Sequence, residues 1–181
     1  MNLEEEQQLV LDAQENVERF EQLYELYFPK VYGFVRGKVN SRNIAEDLVS
    51  EIFIKILEAL PRYQFRGLPF GAWVFRIVRN HLKDYYAKSS RTNVGNLEDA
   101  DWLKDEDSTR NPAKETRRKN LRENLIKSFH VLKKQEKEVI RLKYFAELSN
   151  QEIADTLGLS PNHIGVILFR ALKKLKTSYD V

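Results

Sequence analysis

The 181-residue chain has no cysteine. That excludes disulfides, thiolate zinc sites and cysteine nucleophiles. Glycine is scarce, at seven, and proline scarcer, at five. These numbers argue against a turn-rich all-β fold and against low-complexity chain. The three histidines stand far apart without metal-ligand spacing, so no metal site is expected. No apolar run approaches the ~20 residues of a membrane-spanning helix. The Glu-rich N-terminus lacks the basic start and apolar core of a secretory signal. A cytoplasmic chain without direct membrane insertion is the expectation. The sequence also shows no nucleophile with its base, no paired catalytic carboxylates and no phosphate-cradling glycine loop. Neither an enzyme nor a cofactor is expected.

What is present is helix-forming and charged. Apolar residues make up 42% and charged residues 31%, with a formal net charge of +3 and a sequence pI near 9.0. The distribution of charge says more than the sum. Residues 1–28 hold eight acidic side chains against Arg19 alone, and residues 98–107 hold six against Lys104 alone. Basic residues gather in 76–91, 114–143 and 170–176. Acidic segments beside basic stripes suit a protein partner plus nucleic acid, although any one stripe also reads as a solvated helix face.

Periodicity divides the chain. Val17, Phe20, Leu23, Tyr24 and Tyr27 fall on one helical face, and Pro29 reads as the start of a second helix running to about Val39. Ser41 and its polar neighbours form a break. Ile44, Leu48, Ile52, Ile56, Ala59 and Leu60 mark the buried stripe of a long helix ended by Pro61. An aromatic-basic loop follows. A further helix then places Phe70, Trp73, Val74, Ile77, Val78 and Leu82 inward. Residues 92–112, with Gly95, Pro112 and the acidic run, keep no period and read as a flexible linker. Residues 113–181 are helical again, opening on Leu121, Leu125, Phe129 and Leu132. The expected fold is all-α: two small helical domains, 1–91 and 113–181, joined by that acidic linker.

Residues 150–169, NQEIADTLGLSPNHIGVILF, have the spacing of a helix-turn-helix. Ala154 is small enough for close crossing, Gly158 suits a left-handed turn, and Ser160 and Pro161 suit the start of the next helix. Leu157, Ile164 and Ile167 are the expected wedge. DNA binding is the preferred reading over a plain three-helix domain. Asn162, His163 and Gly165 would then face the major groove behind the Ser160 cap, with Phe169 further along and Arg170, Lys173, Lys174 and Lys176 on phosphates. His163 reads equally well as an idle surface residue.

Four stretches in order, IAEDLVSEIFIKILEAL (44–60), FRGLPFGAWVFRIVRNHLKDYY (65–86), LKKQEKEVIRL (132–142) and QEIADTLGLSPNHIGVILFRA (151–171), resemble bacterial RNA polymerase sigma factors. The size and two-part organisation resemble the extracytoplasmic-function group. The resemblance implies that Glu46, Asp47, Leu48 and Glu51 dock on the β′ clamp of core RNA polymerase. It implies that Phe65, Arg66 and Gly67, continuing into Trp73, Arg76, Arg79, Asn80 and Lys83, capture an unstacked promoter base. Aromatic, basic and amide side chains suit that task through stacking, phosphate contact and edge hydrogen bonds. Trp73 shares a stripe with Phe70 and Ile77, so its own ring reads as core. The helix-turn-helix would bind upstream duplex near the β flap, and an anti-sigma factor is an implied partner. Gly165, Val166 and Ile167 depart from the family's small and basic pattern and imply weaker sequence readout. A conventional helix-turn-helix regulator, or a sigma-like protein that sequesters an anti-sigma factor, are the competing readings.

Overall fold

The computed structural model describes residues 3–39, 41–65, 69–89 and 129–179. The expected linker, Arg66, Gly67, Leu121 and Leu125 lie outside the described residues. Among the described residues all regular structure is helical: α1 (Leu3–Glu15), α2 (Phe20–Arg36), α3 (Arg42–Ala59), α4 (Phe70–Ser89), α5 (Lys134–Tyr144), α6 (Asn150–Leu157) and α7 (Pro161–Tyr179), with two short 3-10 turns.

The first four helices form one bundle. Leu23, Tyr27, Val31, Phe34 and Val35 give α2 a buried face, opposed by Leu48, Val49, Ile52 and Ile56 of α3 and by Phe70, Val74, Phe75 and Val78 of α4. Phe34 and Phe75 meet edge to face at 5.4 Å, the geometry their quadrupoles favour. Two expectations fail here. Val17 is exposed, because the chain enters α2 through a 3-10 turn, Val17–Arg19, and the helical period starts only at Phe20; Tyr24 lies at the edge of the buried face, partly exposed with its ring against Phe53 at 4.6 Å. Nor does Pro29 start a helix; it lies inside α2. An interior proline costs about 3 kcal/mol, and each apolar side chain fully buried returns about 1.5–3 kcal/mol. The five buried side chains straddling Pro29 outweigh it.

The second unit is built on α5, α6 and α7, with Val139, Ile140, Leu142, Ile153, Ala154, Ile164 and Ala171 in its core. Ser149 and Glu152 close a reciprocal cap on α6: the Glu152 N–H donates to Ser149 Oγ at 3.2 Å and the Ser149 N–H donates to Glu152 Oε2 at 2.7 Å. Gly158 follows at φ 69°, ψ 38°, and the Leu159 N–H returns to the Ala154 carbonyl at 2.9 Å. The His163 N–H donates to Ser160 Oγ, and Pro161 is the first residue of α7. Each local device expected of the helix-turn-helix is in place.

The two units are in contact. Helix α4 packs against α6, and their cores join in one apolar cluster.

Candidate nucleic-acid interface

Three surfaces follow from these helices. The first is the outer face of α3. Ser41 Oγ accepts from the Ile44 N–H and starts the helix. Leu48 then turns inward, only 4% exposed, while Glu46, Asp47 and Glu51 stay in solvent. Leu48 therefore anchors this face from beneath and presents no surface to a partner. Arg42 pairs with Glu46 one turn on, at 2.8 Å. Glu51 Oε2 lies 2.9 Å from Nε2 of His81, a buried residue of α4. Burial holds the His81 imidazole below its ordinary pKa, Lys55 adds to this, and Glu51 pulls the other way. Sequence reading missed Ile54, which is 56% exposed, and Glu58. Asp47, Glu51, Ile54 and Glu58 recur at helical spacing on one side, so extending the AEDL stripe by two turns finds them. The face is acidic with one apolar contact, a pattern suited to a basic protein surface.

The second surface is the α3–α4 connection. Tyr63, Phe70 and Trp73 form an aromatic cluster, with ring centroids 4.9–5.1 Å apart. Trp73 is half-buried in it, and Phe65, two residues after Tyr63 in the chain, is exposed. Both ends of the connection are tied to α1. The Gln14 amide donates to the Leu60 and Tyr63 carbonyls, each at 2.8 Å. Glu6 accepts from the Phe70 N–H at 3.0 Å and from the Tyr27 hydroxyl. Burial, reinforced by Glu6, raises the pKa of the Tyr27 hydroxyl, and the same causes act on Tyr63. Nothing in the local sequence pattern singles out Glu6 or Gln14, because their partners lie 21–64 residues away.

Helix α4 continues this surface. Arg76, Asn80 and Lys83 are exposed. Arg79 is not free: it donates to Glu138 Oε1 of α5 at 3.2 Å and to the Thr156 carbonyl of α6 at 2.8 Å. Arg76 reaches the Asp155 carbonyl at 3.5 Å. Lys38, at the end of α2, also pairs with Glu138. Burial alone would raise the pKa of Glu138, but Lys38, Arg79 and Arg141 hold its carboxyl below the usual range. The seam between the two units is thus an ion cluster on α4's basic face.

The third surface is the start of α7. Asn162, His163, Arg170 and Lys173 are exposed, and Gly165 is half-covered with open space where a Cβ would stand. Phe169 is 70% exposed. Lys174 is already engaged, donating to both Glu136 oxygens at 2.7 and 2.8 Å, so it braces α7 on α5. Ile167 is 6% exposed and belongs to the core. Its apolar character therefore removes no base contact, and the departure from the family pattern reduces to Gly165 and Val166. Among the described residues no three His, Asp or Glu side chains group as metal ligands, and no helix is long and apolar enough to cross a membrane.

These surfaces belong to an all-α, two-domain DNA-binding architecture. The family model for sigma-70 region 2 matches residues 23–92, and that for sigma-70 region 4 matches residues 122–175. Together they cover more than half of the chain. The chain is 29% identical over 160 residues to the ECF RNA polymerase sigma factor BldN of Streptomyces coelicolor, covering 86% of this chain and 58% of BldN. It is 25% identical over 160 residues to the ECF sigma factor SigM of Bacillus subtilis, covering 88% and 94%. The solved structure of CnrH in complex with the cytosolic domain of CnrY has the same fold, with a TM-score of 0.68 over 97% of both chains at 24% identity. The chain belongs to the sigma-70 family, in its extracytoplasmic-function group, and acts in promoter-directed transcription initiation.

Proposed function

We propose that residues 1–91 form the unit that docks on core RNA polymerase and opens the promoter, that residues 113–181 form the unit that grips upstream duplex, and that 92–112 link them. Glu46, Asp47, Glu51 and Ile54 meet the β′ clamp, with Leu48 fixing their helix. Phe65, Arg66 and Gly67, together with the Tyr63–Phe70–Trp73 cluster, take an unstacked base. Arg76, Arg79, Asn80 and Lys83 follow the single strand beyond it. Stacking is sequence-tolerant and each cation adds phosphate affinity, so aromatic and basic groups on one face suit melted DNA better than duplex. On α7, Asn162 and His163 approach base edges while Arg170 and Lys173 take phosphates.

The observation that carries this reading is the α3–α4 pair. It presents an acidic docking stripe on one helix and an aromatic-basic face on the next, within one rigid bundle. A conventional regulator has no use for the first of these. The chain supplies binding energy and position, and no covalent chemistry. It works in the cytoplasm, without a cofactor, under the control of an anti-sigma factor.

Run-off transcription with purified core polymerase and a promoter library tests the whole. Discrete transcripts are expected. Asp47→Arg places a cation in the acidic stripe and should lower them by at least about tenfold through weaker core binding. Asn80→Ala should lower them with core binding intact. Core binding without transcripts on any promoter points to a sequestering mimic. A chain that ignores core polymerase but binds a duplex palindrome is a conventional regulator.

A further inference from the structure

Helix α1 lies ahead of the region 2 match at residues 23–92, and neither docking nor base capture as proposed calls on it. Its inner face buries Val10 and Ala13. An apolar patch of that size is enough to seat a short helix. The same face nevertheless carries two polar side chains, Glu6 and Gln14, each half-buried. Burying polar groups is unfavourable unless each finds a partner, and the partners they find are instructive. Gln14 takes the carbonyls of Leu60 and Tyr63, where α3 runs out. Glu6 takes the N–H of Phe70, where α4 begins. The Phe70 N–H is a helix-start group with no partner in its own helix, while the Leu60 carbonyl already accepts from the Tyr63 N–H at 2.9 Å and gains a second donor from Gln14. Eight residues of α1 set the two anchors about 12 Å apart. A carboxylate at the start of α4 also meets the positive end of its dipole. The Tyr27 hydroxyl, donating to the second Glu6 oxygen, fixes the carboxylate's orientation.

We propose that α1 is a strap for base capture: Glu6 and Gln14 act as positioning residues that hold the two ends of the α3–α4 connection at the spacing that presents Phe65 and the Tyr63–Phe70–Trp73 cluster to an unstacked promoter base. This rests on the base-capture reading above. The strap touches neither DNA nor polymerase. It sets the ends of the connection in place before the base arrives, so its loss slows capture and leaves docking alone.

The test uses the full chain with core polymerase on an active promoter carrying 2-aminopurine in the strand to be captured. Core affinity is measured separately by anisotropy. The doubly substituted chain, Glu6→Ala with Gln14→Ala, should unstack the probe about tenfold more slowly, while core affinity stays within about twofold. Glu6→Gln keeps an acceptor for the Phe70 N–H and should restore most of the rate. Val10→Ala weakens the seating of α1 without touching the connection, and it serves as the stability control. Unstacking at the wild-type rate in the double variant overturns the proposal. So does an equal slowing by Val10→Ala at the same thermal midpoint, since α1 would then serve stability alone. A parallel loss of core affinity in the double variant overturns it as well. If the wild-type chain binds core polymerase yet never unstacks the probe, the base-capture reading itself falls, and the strap falls with it.

Discussion

His81 is buried where α4 meets α3, and its surroundings disfavour the charged imidazolium. Burial, then Lys55, keep its folded-state pKa below the ordinary 6.5. The unfolded chain therefore binds the proton more readily than the folded one. The stability that His81 contributes is fully present above about 6.5 and is lost as pH falls through the lower folded value. Urea midpoints should decline from about pH 7.5 to about pH 5, and His81→Asn should flatten that decline. An equally steep slope in the variant would assign the effect to other groups. Glu138 acts in a lower window. Its depressed pKa gives stability that is present above the ordinary 4.5 and is lost as pH falls through the folded value. Gly158 allows a cleaner test. It sits at φ 69° with nothing within 4 Å of a Cβ position, so substitution is opposed by backbone conformation alone. Gly158→Ala should lower stability by about 1–2 kcal/mol in chemical denaturation, and Gly158→Asn by less.

At the level of the element, what was legible in the sequence is what repeats at short range. The α6–turn–α7 unit announces itself because Ala154, Gly158, Ser160 and Pro161 each answer a local geometric demand. The α5–α6 turn does not, although it also needs a left-handed residue. There the position is held by Glu147 at φ 56°, and a glutamate gives no signal. Helix α3 was readable from Leu48, Ile52 and Ile56, while the buried Ala45, Val49 and Phe53 and the outward reach to Ile54 and Glu58 were missed. Proline misled at position 29, since local propensity yields to a continuous apolar face. The acidic first segment was unreadable for a different reason. Its contribution lies in hydrogen bonds to groups 21–64 residues along the chain, and periodicity is blind to these. The same holds for Lys174, expected on phosphate and found on Glu136.

At the scale of the molecule, the seam between the units sets a competition. Arg79 is bound to Glu138 and Thr156, and Lys38 shares Glu138. A DNA phosphate and the Glu138 carboxylate make the same demand on the Arg79 guanidinium. On the proposed path along α4, single-stranded DNA has to take Arg79 from Glu138 of α5, and affinity measured on the free chain then carries that cost. Glu138→Gln keeps the shape of the side chain and removes its charge. It should lower the stability of the packed arrangement by about 1–3 kcal/mol, less than for a fully buried pair because Glu138 retains some solvent. It should at the same time tighten binding of a single-stranded promoter oligonucleotide. The salt dependence carries the more specific signature. Each phosphate neutralised on a single strand adds about 0.7 to the slope of log affinity against log salt. Release of Arg79 and Lys38 should therefore steepen that slope by between about 0.7 and 1.4 in anisotropy titrations. A steeper slope with tighter binding identifies Arg79 as a DNA contact that the seam withholds. Tighter binding at an unchanged slope would place the gain elsewhere and leave Arg79 a structural residue of the seam.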